Sequence, residues 1–411
     1  MPSHTHRTTV LIVGAGLAGS TMAAALGTAG VPTLLVDRDA PDVRLDPTAD
    51  GRTTAISLGS RRVLDGAGIW AGVADQASPI LDIKITDHAS PASMGYDHSD
   101  VGDEPFGHIV DNWLLRRAQQ DRLAALPAVT VLAPAGVTAL DRTATGVAAR
   151  LDDGATVRAD LVIGADGKGS IVRRSAGIEV SSWRYDQTAI ACCIGHEAPH
   201  NGLALEHFMP SGPFAVLPMT DGPDGGHRSS VVWTERPARA KAMMALDGPA
   251  FDHELQTRVG DHLGRVALRG GRWAFPLGVL HAKQYIDARL ALISEAAHAI
   301  HPIAGQGLNM GFRDIASLAE LIVDQARLGL DVGAPELLAR YQRLRLFDNV
   351  SLVGITDGLN RLFSNRSMAL RGLRGAGLSV VAQIDPLKKV FMRHAMGVMG
   401  DLPRMVRGEA L

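Results

Sequence analysis

Two cysteines are all this 411-residue chain has, and they are neighbours, Cys192 and Cys193. No disulfide framework can be built from them, and the run "TAIACCIG" reads as a buried strand carrying two small thiols. A reducing, cytoplasmic compartment suits such a chain. A large excess of one charge sign is also missing. Lys and Arg number 41 against 43 Asp and Glu, so no global basic field exists to hold a nucleic acid. The N-terminus "MPSHTHRTTV" lacks the apolar core of a secretory signal. Aromatic residues are few. Glycine is plentiful, with 45 residues, and several of these fall at telling spacings.

The apolar run from Val10 to Leu26 is almost long enough to pass for a short membrane span, but three glycines at fixed spacing interrupt it. "TTVLIVGAGLAGSTMAAALGTAGVPTLLVDRD" predicts strand, turn, helix, strand. Val10–Val13 has the continuous apolar character of a parallel strand buried on both faces. Gly14, Gly16 and Gly19 then form G-x-G-x-x-G. The first permits the tight turn, the second lets backbone approach a pyrophosphate, and the third lets helix pack on strand. The helix start offers unpaired N–H groups and positive dipole to the phosphates. Asp37 ends the second strand at the right distance for a ribose hydroxyl pair. These residues predict a bound dinucleotide, FAD or NAD, with a free 2′-hydroxyl.

Two further strand ends carry acids. "RADLVIGADGKGSIVRR" runs from an apolar strand into Gly164-Ala165-Asp166-Gly167, with a helix expected near Ser170. "LALISEAAHAIHPIAGQGLNMGFRD" ends its strand on Ser294-Glu295, and Gly305-Gln306-Gly307 then opens a helix through Leu318. Three such junctions suit a ligand as long as a flavin dinucleotide. Backbone N–H groups at the last helix start would stabilise negative charge on a reduced isoalloxazine. His298 and His301 are spaced as H-x-x-H, but no third ligand follows and Pro302 interrupts the helix, so no metal site is expected.

These motifs, in this order, resemble the single-component flavin aromatic hydroxylases of the para-hydroxybenzoate hydroxylase class. The ubiquinone-biosynthesis branch is the nearest match. The stretches that carry the resemblance are "DGRTTAISLGSRRVLDGAGIW", "GADGKGSIVRR", "MPSGPFAVLPM" with "SSVVW", "HPIAGQGLNMGFRD" and "YQRLRLFDNVSLVGITDGLNRLFSN", and together they cover nearly the whole chain.

The resemblance implies an α/β fold. A Rossmann-type FAD-binding domain (1–80, 106–180 and 281–345) is interleaved with a mainly β substrate domain (81–105 and 181–280), and helices follow over 346–411. Alternating apolar residues in "LALEHF", "PFAVLPM" and "SSVVWTE" independently predict strands in the second domain.

Carried over residue by residue, the resemblance places Asp37 on the adenosine ribose and Arg52 near the flavin or its phosphates. Asp166 would contact the cofactor from the second motif, and Pro302, Gly305, Gly307, Leu308 and Asn309 would line the isoalloxazine. Arg116, or Asn112, stands where the class often has a cofactor arginine. Glu295 replaces the acid that contacts the ribityl-phosphate stretch. The usual Gly-Asp pair is here Ser294-Glu295, and a serine costs about 1–2 kcal/mol if φ is positive there. His207, Phe208, Phe214, Met219 and Trp233 are candidate substrate contacts. No protein base is assigned.

The implied activity is hydroxylation of a prenylated phenol or benzoquinol ring in ubiquinone biosynthesis, through a C4a-hydroperoxyflavin. It would use FAD, O₂ and electrons from NAD(P)H or another transient donor. Two alternatives stand beside it: an FAD oxidoreductase without hydroxylation, such as a prenyl reductase, and a cofactor-weakened scaffold of the quinone-synthesis complex. From residue 360 on, nine cations face three acids, with Met and Leu interspersed. That pattern predicts a segment docking on the inner membrane surface or on quinone-synthesis proteins.

Overall fold

The computed structural model describes residues 4–46, 51–88, 90–363 and 385–411. Its centre is a six-stranded sheet in the order Ile286–Asp287, Leu290–Leu292, Leu161–Gly164, Val10–Val13, Thr33–Val36, Val129–Leu132. All pairings are parallel except that of the short Ile286–Asp287 edge. The inner strands "VLIV", "TLLV", "LVIG" and "LAL" are buried at every position. They show no alternation because both faces are covered. Helix Leu17–Thr28 packs against Asn112–Ala124 and Gln306–Arg327.

The second body is an eight-stranded mixed sheet. It draws on Asp82–Asp87, Ser90–Asp97, Val180–His196, Leu203–Met209, Gly212–Met219, His227–Glu235 and Val266–Ala282, with His298–Ala299 at one edge. The strands expected at "LALEHF", "PFAVLPM" and "SSVVWTE" are all present. Alternation gives this sheet two faces. Ile190, Cys192, Phe214, Val216, Val231 and Trp233 pack behind it, with Phe251 and Leu255 of helix Gly248–Val259. Ala204, Phe208, Leu217, Met219 and Cys193 face forward, toward Ala55, Leu58 and Ile303 of the first body. The thiols of Cys192 and Cys193 are pushed up by burial to about 12 and about 11, as inert strand residues.

Helix Pro335–Phe363 runs through residues 345 and 346 without a break, so the division expected there falls inside one element. Asp385–Ala395 and Arg404–Arg407 follow. Met392 and Met396 enter the forward-facing cluster, and Met405 and Val406 enter the core of the first body.

Candidate functional site

The parallel register brings the three motifs side by side. Val13, Gly164 and Leu292 end adjacent strands, and Val36 ends the next one out, so Gly14, Asp37, Asp166 and Ser294-Glu295 share the carboxyl edge of one sheet. Ligands of open α/β sheets bind at this edge. Gly14 has φ +105°, and a Cβ there would lie 2.5 Å from the Ala165 carbonyl oxygen, so the first and second motifs touch through backbone. At Gly19 a Cβ would fall 1.8 Å from the Gly14 carbonyl oxygen, which fixes the helix against the turn. At Gly16 a Cβ would meet nothing within 4 Å, so this glycine borders open space.

Helix Leu17–Thr28 starts at Gly16 with no acid in its first turn, as an anion-binding helix end requires. Asp37 accepts from the Ala15 N–H at 2.5 Å and the Asp39 N–H at 2.9 Å, which ties the second strand's acid to the glycine turn. Asp166 Oδ2 accepts from the N–H of Ile171 at 2.6 Å. Its Oδ1 is buried and has no hydrogen-bond partner among the described residues. A buried carboxylate oxygen left over beside a glycine cradle is what a ligand hydroxyl would satisfy. The expected helix after Asp166 is one short turn, Ile171–Ser175.

At the third junction Ser294 adopts φ +54°, the left-handed conformation that glycine takes freely. Its N–H donates to Asp314 Oδ2 at 3.1 Å. Glu295 is exposed and lies 3.5 Å from Lys168 Nζ of the neighbouring motif. Beyond it, Pro302 leads into the turn Ile303–Gly305, and Gly305 (φ +61°) caps helix Gln306–Arg327, whose first turn also lacks acids. A Cβ at Gly307 would meet nothing within 4 Å, a second open border. Leu308 packs against the core of the first body.

The Asn309 side chain is engaged by backbone groups of the protein. Its Oδ1 accepts from the Ser57 N–H at 3.0 Å, and its Nδ2 donates to the carbonyls of Ala55 (2.8 Å) and Gly305 (2.9 Å). It clamps the 302–307 loop to strand Thr53–Ser57. Arg52 is exposed and stacks over Phe275 at 4.9 Å, bridging the two bodies at the rim. Arg116 is one helical turn before Gln119, whose Nε2 donates to the Leu17 carbonyl at 2.8 Å, so Arg116 rides the helix face nearest the glycine turn. Asn112 is taken up by Thr54 Oγ1, at 2.5 Å.

The two histidines of H-x-x-H diverge. His298 Nε2 pairs with Asp314 Oδ2 at 2.5 Å, while His301 Nε2 meets Gln187 Oε1 at 3.2 Å. No group of three or more metal-ligating side chains exists among the described residues.

Three substrate-side candidates lie on the rear face of the sheet. Phe214 and Trp233 are fully buried behind the eight-stranded sheet, on the face away from the glycine cradle. His207 pairs with Phe214 across strands and so shares that rear face, where Thr86 Oγ1 meets its Nδ1 at 2.6 Å. Phe208 and Met219 face forward, in one cluster with Ile303, Met392 and Met396. The strand pattern predicts two faces; which face meets the cofactor is set by the other body.

Comparison with known proteins agrees with this geometry. The model of the FAD binding domain family matches residues 7–347. The chain belongs to that family. Ubiquinone hydroxylase UbiL of Rhodospirillum rubrum is 48% identical over 405 residues, covering 98% of this chain and 93% of that one. The 3-demethoxyubiquinol 3-hydroxylase of Escherichia coli is 33% identical over 95% of this chain and 99% of its own. Among solved structures, p-nitrophenol 4-monooxygenase PnpA from Pseudomonas putida aligns with a TM-score of 0.78 at 19% identity, over 97% of this chain and all of that one, a likeness of fold. The chain is thus an FAD-dependent hydroxylase of the α/β monooxygenase fold.

What the motifs of this FAD-binding chain did not reveal is the support behind the third junction. Asp314, fully buried, binds the Ser294 N–H and His298 through Oδ2 and takes Arg345 Nε (2.9 Å) and Asn349 Nδ2 (3.1 Å) on Oδ1. Burial alone would raise its carboxyl, but His298 and Arg345 hold it well below the usual range. Thirty-one residues separate Asp314 from Arg345, and no local pattern links them.

Proposed function

We propose that the chain hydroxylates the aromatic ring of a prenylated phenol or benzoquinol on the way to ubiquinone. The observation that carries this reading is the end-to-end likeness to the Rhodospirillum hydroxylase, on a carboxyl-edge cradle whose free Asp166 oxygen and open glycine borders fit FAD. Asp37 and the Leu17–Thr28 helix start would hold the adenosine and pyrophosphate, Asp166 the middle, and the Gly305 loop the ring system. Bound FAD supplies the redox chemistry, with O₂ as oxidant and NAD(P)H or another donor as transient source of electrons. The chain's own part is to orient, exclude water and set the electrostatics. Phe208, Met219, Ile303, Met392 and Met396 form an apolar wall, and the helix start at Gly305 favours negative charge beside it.

A prenylated substrate resides in lipid, so we include peripheral docking on a membrane or on membrane-bound quinone-synthesis proteins. Phe347, Val350 and Ile355 of helix Pro335–Phe363 are exposed apolar residues that support it. No helix among the described residues is long and apolar enough to cross a membrane. Part of the basic segment, 364–384, lies outside the described residues.

The test is complementation. Expressed in a strain lacking its ubiquinone ring hydroxylases one at a time, the chain should restore ubiquinone in at least one and clear the precursor short of one ring oxygen. FAD-loaded protein that restores none of them would refute the reading.

A further inference from the structure

Strand Leu203–Met209 alternates across the eight-stranded sheet. Leu205 and Met209 pack behind it, while Ala204 and Phe208 pack in front. Glu206 lies between the front pair and therefore faces the same way. Its lateral neighbours are Ala215 and Ile85, and the same row continues through Val232 and Ala191 to Trp273. That row faces the cofactor-side body: Gly51 lies so close over Trp273 that a Cβ would be 2.0 Å from the ring. One row down, Thr53 Oγ1 donates to Ser230 Oγ at 2.7 Å. The forward cluster holds Ala55 and Ile303, which flank the Gly305 loop.

Of the residues around Glu206 on this face, Ala204 and Ala215 are small, while Phe208 and Ile85 are bulky. Glu206 remains only half-buried, and among the described residues no donor meets its carboxyl. Yet its surroundings are dry enough that desolvation alone pushes the carboxyl up to about 7. An acid that is half-buried, desolvated and met by no donor among the described residues is ready to accept a hydrogen bond from a ligand on this face. Other titratable groups on this face are Asp87 and Tyr96 on the two outer strands, Cys193, and farther along Arg228 beside Asp111 and Arg269 paired with Asp224. Arg61 and Glu104 belong to a separate, half-buried pair.

We propose that Glu206 binds the substrate's ring hydroxyl and accepts its proton as the ring is hydroxylated. The inference rests on the proposed function. The phenol O–H bond breaks, the proton moves to a Glu206 carboxylate oxygen, and the electron pair stays on the ring oxygen. That pair makes the ring carbon a better nucleophile toward the oxygen that FAD and O₂ supply. When the ring regains aromaticity, its C–H proton leaves to water and Glu206 returns its own proton to the ring oxygen. A carboxyl poised near neutral pH is suited to this exchange.

The experiment uses FAD-loaded full chain, 2-prenylphenol, and the methyl ether of that phenol. Anaerobic titration followed by the flavin spectrum should show wild type binding the phenol at least ten-fold tighter than the ether at pH 8, with the preference lost below pH 7. Glu206→Leu should abolish the preference and leave FAD affinity unchanged. In turnover, Glu206→Gln should lower kcat by about 100-fold, change KM less than three-fold, and remove the acid limb near pH 7. Its Tm at pH 8 should rise, because a desolvated carboxylate that the fold disfavours is gone. A merely structural glutamate would give the opposite Tm change.

Wild type that prefers the phenol but hydroxylates nothing would fail the proposed function and leave Glu206 as the hydroxyl's binding group. Wild type that hydroxylates the phenol, with Glu206→Gln keeping its rate within two-fold and its acid limb intact, would overturn the assignment. The wild-type preference needs no variant to fold, and its absence would overturn the assignment too.

Discussion

Ser294 holds a left-handed backbone that its Cβ disfavours, and the helix opposite makes room for it. A Cβ built at Gly311 would lie 2.7 Å from Ser294 Oγ and 2.8 Å from Ser294 Cβ. The serine and the glycine therefore share one space. Gly311→Ala alone should destabilise by about 1–3 kcal/mol through overpacking. With Ser294→Gly in place, the same change should be neutral or stabilising, because strain is relieved and a helix interior prefers alanine by about 1 kcal/mol. Urea unfolding of the two single variants and the double variant measures the coupling; additive effects would mean the pair is independent. The sequence showed that Ser294 departs from the usual glycine, but not its compensation seventeen positions on, since nothing local links them. Asp166 is a second residue-scale test. Asp166→Asn replaces a charged acceptor worth about 1.5–3 kcal/mol, so FAD titration of the apoprotein should show affinity reduced about ten- to a hundred-fold. Undiminished affinity would separate Asp166 from the cofactor.

At the scale of elements, the strand ends were legible because buried parallel strands read as unbroken apolar runs that stop at glycine and acid. The faces of the eight-stranded sheet were not. His207, Phe208, Phe214, Met219 and Trp233 looked equivalent in sequence, and packing divided them. Glu206 was visible only as the one charge among the forward residues of "LALEHF". The link between this sheet and helix Pro335–Phe363 gives a pH prediction. His301 is fully buried against Tyr185 and Gln187, and desolvation lowers its pKa to about 4 despite the attraction of Asp357. Its unfolded value is near 6.5, so between those values the unfolded chain binds the extra proton. The stability His301 contributes is full above about pH 6.5 and is lost as pH falls toward 4, on the order of 3 kcal/mol. Urea unfolding at pH 7 and pH 4.5 should show His301→Gln losing less stability than wild type by an amount of that order. Equal losses would mean that His301 is not held neutral.

The whole molecule assembles its cradle from three distant stretches of chain, and the parallel register alone makes them neighbours. No covalent anchor is expected, since both thiols lie in the other sheet and are held protonated by burial. Acid denaturation should therefore release intact FAD to the supernatant; flavin remaining with the pellet would contradict this. Charge predicts an interfacial segment in the basic C-terminal portion, and several of its described side chains are engaged within the protein. Arg404 pairs with Glu320 and Asp324, Arg407 with Glu409, and Met392, Met396 and Met405 are buried. Among the described residues, the exposed Phe347, Val350 and Ile355 of helix Pro335–Phe363 offer one surface for lipid contact. Changing these three to serine should reduce flotation with anionic liposomes several-fold, and unchanged flotation would remove that surface from the proposal. The central claim is ring hydroxylation by FAD and O₂, and its most direct test is the fate of labelled oxygen. FAD-loaded protein turning over a short-chain prenylated phenol under ¹⁸O₂, with a chemical or enzymatic source of electrons, should give a product with one ¹⁸O atom in a new ring hydroxyl. A product that is reduced in its prenyl chain, or that carries oxygen only from water, would contradict it.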